Sequence, residues 1–123
     1  MVDTSWAAEG SIAAEFDRRY TDSRVSFTTV ERLTATQVIC ASGNRYYRQD
    51  GRIVGGQRIE ILPVENQAVR DTIAREQVEQ LRFRLYETCK DVRGGEAVML
   101  AVLDQLEQQI AAARAAINNP TSA

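Results

Sequence analysis

Between residues 24 and 62 apolar and polar positions alternate with a period of two, and beyond Pro63 apolar positions recur every three to four residues. In the first region Val25 and Phe27 alternate with Ser26 and Thr28, and β-branched residues dominate "VSFTTV". The run "QVICA" follows the polar connection "TAT", and "SGN" (42–44) supplies turn chemistry before "RYYR". A second turn, "QDG" (49–51), precedes "RIV"; after Gly55 and Gly56, Ile59 and Ile61 alternate with Arg58 and Glu60. The pattern predicts four or five short strands with tight turns, too few for two packed sheets. A twisted meander curled into a small barrel leaves the fewest open edges.

The flanks carry the helical period. In "SIAAEFDRRY" Ile12, Phe16 and Tyr20 recur every four residues behind Ser11, a candidate N-cap, which predicts a short helix within an N-terminal segment 1–22. Pro63 ends the β region (23–62) and suits the first position of a helix. Beyond it Val69, Ile73, Leu81, Leu85 and Cys89 keep one face, with Gln77 in the missing place and Val78 widening the stripe. Asp71 and Arg75 stand as an i,i+4 pair on the other face. "RGG" (93–95) reads as a stop and reversal, since glycine takes left-handed φ cheaply. Val98, Val102, Leu106, Ile110, Ala113 and Ile117 then form a coiled-coil-like seam, with Met99 and Leu103 beside it. The expected fold is α+β in a single domain. A small curled β-sheet or SH3-like barrel is followed by an antiparallel helical hairpin (63–117) and a flexible tail (118–123).

The stretch "VERLTATQVICASGNRYYRQDGRIVGG" (30–56) resembles the small SH3-like, KOW-type β segments of uncharacterised bacteriophage and bacterial proteins. Those segments share a "V-x-R-V-T-x-T-Q" strand and turn, then "G-x-R-F/Y-R" and a spaced glycine pair. The resemblance covers 27 of 123 residues and implies a small barrel of phage or prophage origin. Barrels of this kind bind RNA, DNA or protein, so the fold does not choose among partners.

Composition removes several classes of function. With 44% apolar and 26% charged residues the chain is of ordinary globular make-up. Its longest apolar run, "AVMLAVL" (97–103), is far shorter than a membrane span, and its start lacks a signal-peptide pattern. Two cysteines, Cys40 and Cys89, match no paired spacing and fit the reducing cytoplasm. The chain has no histidine, so neither cysteine has an imidazole base, and both sit in apolar patterns that suggest buried, inert thiols. Two cysteines and carboxylates alone make a poor zinc set. "GRIVGG" lacks the lysine and hydroxyl of a phosphate-binding P-loop. Glu76/Glu79, Glu87/Asp91 and Asp104/Glu107 fall on polar helix faces, as solvated surface does. The expectation is therefore a non-enzymatic protein with no catalytic residue, metal or cofactor.

Charge is unevenly spread: −4 over residues 1–17, +4 over 18–62 and −2 over 63–123, for a net −2. Within the basic island Arg45, Tyr47, Arg52 and Arg58 are the candidate binding residues, because alternate strand residues share a side. Arginine offers forked donors to phosphate and tyrosine a stacking face, which suits nucleic acid. The same residues also suit a protein interface or a plain soluble barrel face, with Glu31, Asp50 and Glu60 near enough to neutralise them. The rival feature is the helical seam, in which Val98, Val102, Leu106 and Ile110 are the candidate homodimer contacts. The favoured expectation is a cytoplasmic, homodimeric accessory protein that docks on a host or phage protein and modulates it, with nucleic-acid binding as the alternative and no membrane role.

Overall fold

In the computed structural model the described residues are 4–19 and 21–121. Five strands, β1 (Ile12–Asp17), β2 (Arg24–Leu33), β3 (Gln37–Cys40), β4 (Arg45–Tyr47) and β5 (Ile59–Pro63), precede two helices, α1 (Gln67–Cys89) and α2 (Glu96–Asn118). The fold is α+β, a curled antiparallel sheet followed by a helical hairpin. The chain divides into two compact units, Met1–Thr72 and Ile73–Ala123.

The sheet runs in the order β4-β3-β2-β1-β5. The ten-residue β2 carries a register shift between Val30 and Arg32, pairing with β1 before it and β3 after it. A bulge of this kind bends a strand, and here it curls the sheet into a half-barrel. The segment Arg52–Ile53 joins the two edges, bridging Tyr46 of β4 on one side and Glu60 of β5 on the other. Ala7, Ala13, Val30, Val38, Cys40, Tyr46 and Ile61 fill the interior, and Trp6, Leu33, Ile53 and Ile59 pack against them. The Thr4 hydroxyl donates to the Arg48 carbonyl and fastens the N-terminal segment to the region after β4.

Residues 12–17 form a central strand where the spacing predicted a helix. A recurrence every four residues satisfies period two as well as period 3.6, so Ile12 and Phe16 share a strand face equally well. Pairing decides the matter: β1 hydrogen-bonds to β2 along one side and to β5 along the other. Its burial on both faces, from Ala13 to Phe16, offsets the helix preference of its alanines. Ser11 closes a turn with Ala8 before the strand and caps no helix. Tyr20 lies outside the described residues.

Pro63 is the last residue of β5, and the helix begins four residues later. Asn66 takes the capping role, its side-chain oxygen accepting from Ala68 N–H at 2.9 Å and Val69 N–H at 3.4 Å. Arg75 lies 3.7 Å from Glu79, and Asp71 accepts from Gln67 at 2.8 Å. α1 ends at Cys89, before "RGG", with Asp91 in the left-handed region at φ 58°. Of the expected tail, Asn118 still belongs to α2 and Asn119 N–H donates to Ala115; residues 122 and 123 lie outside the described residues.

Candidate interaction surfaces

Strand alternation in β4 buries Tyr46 completely and turns Arg45 and Tyr47 outward. Tyr47 N–H donates to the Arg52 carbonyl and Val54 N–H to the Arg45 carbonyl, both at 2.8 Å. Residues directly opposite in an antiparallel pair share a face, so this register sets Arg45, Tyr47 and Arg52 on one side. The "QDG" turn makes the pairing possible. Asp50 Oδ1 accepts from Arg52 N–H at 3.0 Å, and Gly51 adopts φ 76°, which only glycine takes without strain. Across this turn Asp50 stands 4.0 Å from the Arg52 guanidinium, a loose contact for an arginine so exposed.

Arg58 occupies a different place. It borders a cavity of about 360 Å³ with Arg18, Arg52, Ile53, Gly56, Ile59 and Glu60 among its walls. Arg52 thus touches both the outer face and the cavity. Arg18, which the sequence pattern had assigned to a helix, lies over the Phe16 ring at 4.8 Å and pairs with Glu60 at 2.7 Å. Glu60 therefore balances Arg18 rather than the outer face. Arg48 is tied down by its bond to the Thr34 carbonyl at 2.8 Å.

A buried carboxylate holds this region in shape. Glu15 Oε1 accepts from Ser42 Oγ at 2.7 Å, Asn44 Nδ2 at 2.9 Å and the Tyr46 hydroxyl at 2.7 Å. One acid of β1 thereby fixes the β3–β4 turn and the inward tyrosine, which in turn orients its two outward neighbours. Three charge-assisted donors offset the cost of burying the acid. Burial, and then the hydrogen bond it donates to the Glu15 carboxylate, push the Tyr46 phenol far above its ordinary range. Burial and the same carboxylate push the Cys40 thiol up to about 12. Cys40 stays a neutral thiol, closed off from reagents. Cys89, expected to be buried on the apolar stripe, is exposed. The stripe gives out before the helix does: Val69 and Ile73 are buried, and Leu81 and Leu85 only half so.

The second surface belongs to the helical unit. Gln109 Nε2 donates to Thr88 Oγ1 at 2.7 Å. A tight reversal would set Thr88 opposite about residue 97, so this bond lies roughly 12 residues, or about 18 Å, further along α2. The helices are offset, and the first half of α2 has no stretch of α1 alongside it. Every residue from Glu96 to Ala101 is exposed, whereas Ala113 in the second half is buried. Of the expected dimer contacts, Val98 and Ile110 are exposed and Val102 and Leu106 half-buried. Met99, Leu103, Leu106, Ile110, Ala113 and Ile117 alternate four and three residues apart, the heptad spacing that holds one face without drift. Leu100 and Leu103 are each 53% exposed, and on α1 Phe83 and Tyr86 reach 65%.

Comparison with protein-family models, with curated proteins and with solved structures finds no match. Among the described residues no group of three or more histidine, cysteine or acidic side chains is placed to hold a metal ion. No helix of the described residues is long and apolar enough to cross a membrane.

Proposed function

We propose that the protein is a non-enzymatic, protein-binding accessory factor that works as a homodimer joined through α2. The observation that carries this reading is the exposed half of a heptad seam: Met99 and Leu103 continue the spacing of Ala113 and Ile117 into a region that no part of α1 accompanies. A second copy of the same helix is the simplest occupant, because a heptad stripe is complementary to itself. Covering Val98, Met99, Leu100 and Leu103 contributes on the order of 1–2 kcal/mol for each side chain. The outward Arg45, Tyr47 and Arg52, residue types that anchor protein interfaces, give the dimer a face for a host or phage protein. The resemblance of residues 30–56 to phage segments points to that class of partner, and two unpaired cysteines fit a cytoplasmic setting.

Amide hydrogen exchange across a dilution series tests this reading. Residues 96–106 gain protection as concentration rises, while the sheet stays unchanged. Protection of those amides that is independent of concentration contradicts it.

One observation favours a second reading. Tyr47, exposed between two arginines on one face, is arranged as single-stranded nucleic acid requires. On that reading Tyr47→Ala weakens oligonucleotide binding by about 1–3 kcal/mol, and affinity falls steeply with salt. Indifference of the protein to oligonucleotides at low salt removes it.

A further inference from the structure

We infer that the cavity bounded by Arg18, Arg52 and Arg58 is a binding site for a phosphate monoester carrying a small apolar body. Three arginines and Glu60 line it together with Ile53 and Ile59. Glu60 is engaged by Arg18 at 2.7 Å, and Asp50 meets Arg52 only at 4.0 Å. Arg58 has no ion-pair partner among the described residues. Three positive charges against one negative leave a surplus of two, which a phosphate monoester dianion neutralises and a carboxylate does not. Guanidinium forks match phosphate oxygens in geometry as well as charge. A volume of about 360 Å³ suits a phosphate with one ring-sized group, at the small end of ligand cavities.

The backbone supplies an independent reason. Arg58 holds φ 61°, a left-handed conformation strained for any residue with a side chain, although glycine would occupy it freely. Its carbonyl accepts the Arg18 N–H at 2.7 Å, so the backbone of the strained residue is tied to that of a second lining arginine. Backbone strain of this kind clusters at ligand sites. Gly56 adds to the design: a Cβ there would meet Ile53 Cγ2 at 2.9 Å and disturb the apolar wall.

The strain also makes the site testable apart from the fold. Titration calorimetry with phenyl phosphate at low salt detects binding to the wild-type protein. Arg58→Gly removes the charge while relieving the backbone, so it melts no lower than wild type and binds about tenfold or more weakly. Inorganic phosphate binds more weakly than phenyl phosphate, because it leaves Ile53 and Ile59 uncovered. Absence of phenyl phosphate binding, or equal binding by Arg58→Gly, overturns the assignment. A single-stranded oligonucleotide offers diester phosphates as the competing source. If it displaces phenyl phosphate at a lower phosphate concentration than phenyl phosphate itself requires, the site belongs to a nucleic-acid backbone and the monoester assignment falls.

Discussion

The two units of this chain treat their side chains in opposite ways. The sheet unit buries even an acid, Glu15, and gives it three hydrogen-bond donors. The helical unit leaves Phe83, Tyr86, Leu100 and Leu103 at least half exposed. A sheet that gives its buried carboxylate three donors and joins its own edges leaves little unpaired, the buried Trp6 Nε1 being an exception. Helices that expose a regular apolar stripe are an incomplete core, and exposed apolar patches of this kind mark association surfaces. The sheet thus closes on itself, whereas the helices leave apolar surface open to solvent.

The sharpest contrast lies in the cysteines, one in each unit. At slightly alkaline pH a thiol reagent labels exposed Cys89 readily and Cys40 about a thousandfold more slowly, because burial withholds both access and the thiolate. Rapid labelling of Cys40 in the folded protein would break the picture of a closed sheet. The raised values have a consequence for stability. Above the ordinary thiol value of 9.0 the unfolded chain loses the Cys40 proton while the folded chain keeps it up to about 12. Folding is then favoured at neutral pH and progressively lost through that alkaline window, with Tyr46 adding in the same direction.

Next in size is Glu15→Ala, which strands the Tyr46 hydroxyl and two further donors and costs about 3 kcal/mol in urea denaturation. Glu15→Gln keeps an acceptor and loses less. Equal stability of the alanine variant would show that the carboxylate does not hold the sheet together. On the helical side Leu103→Asp leaves the fold intact, since the residue is already exposed, but places a charge in the proposed dimer contact. It weakens self-association by about thirtyfold, or roughly 2 kcal/mol, measured by sedimentation. A loss of monomer stability instead would place Leu103 within the chain's own core. The smallest effect is Asn66→Ala, which removes the α1 cap and lowers stability by about 1 kcal/mol without altering the association constant.

Period-two alternation from residue 24 onward made the strands legible and set Arg45 and Tyr47 on one side; burial of Tyr46 in the structure makes that side the outer one. β1 was hidden because a spacing of four is common to strand and helix. Only its pairing with β2 and with β5, more than 40 residues away, decides between them. Glu15 was invisible for the same reason: its donors lie 27 to 31 residues away on elements that meet only in the folded sheet. The arginine face was half legible. Local alternation aligned Arg45 with Tyr47, but Arg52 joins them through the hairpin register, and Arg58 turns to the cavity with Arg18. In the helices spacing alone pointed to Val98 and Val102, whereas the heptad-spaced seam of α2 runs through Met99 and Leu103. The half of it that stays exposed depends on the offset set by residues 90–95, which periodicity does not encode.

The central claim is that the exposed half of α2 is covered by a second copy, and the mass of the wild-type protein tests it most directly. Light scattering at about 10–100 μM should give twice the 13.7 kDa of one chain, falling toward the single-chain mass on dilution below about micromolar. A mass of one chain throughout that range would contradict the account.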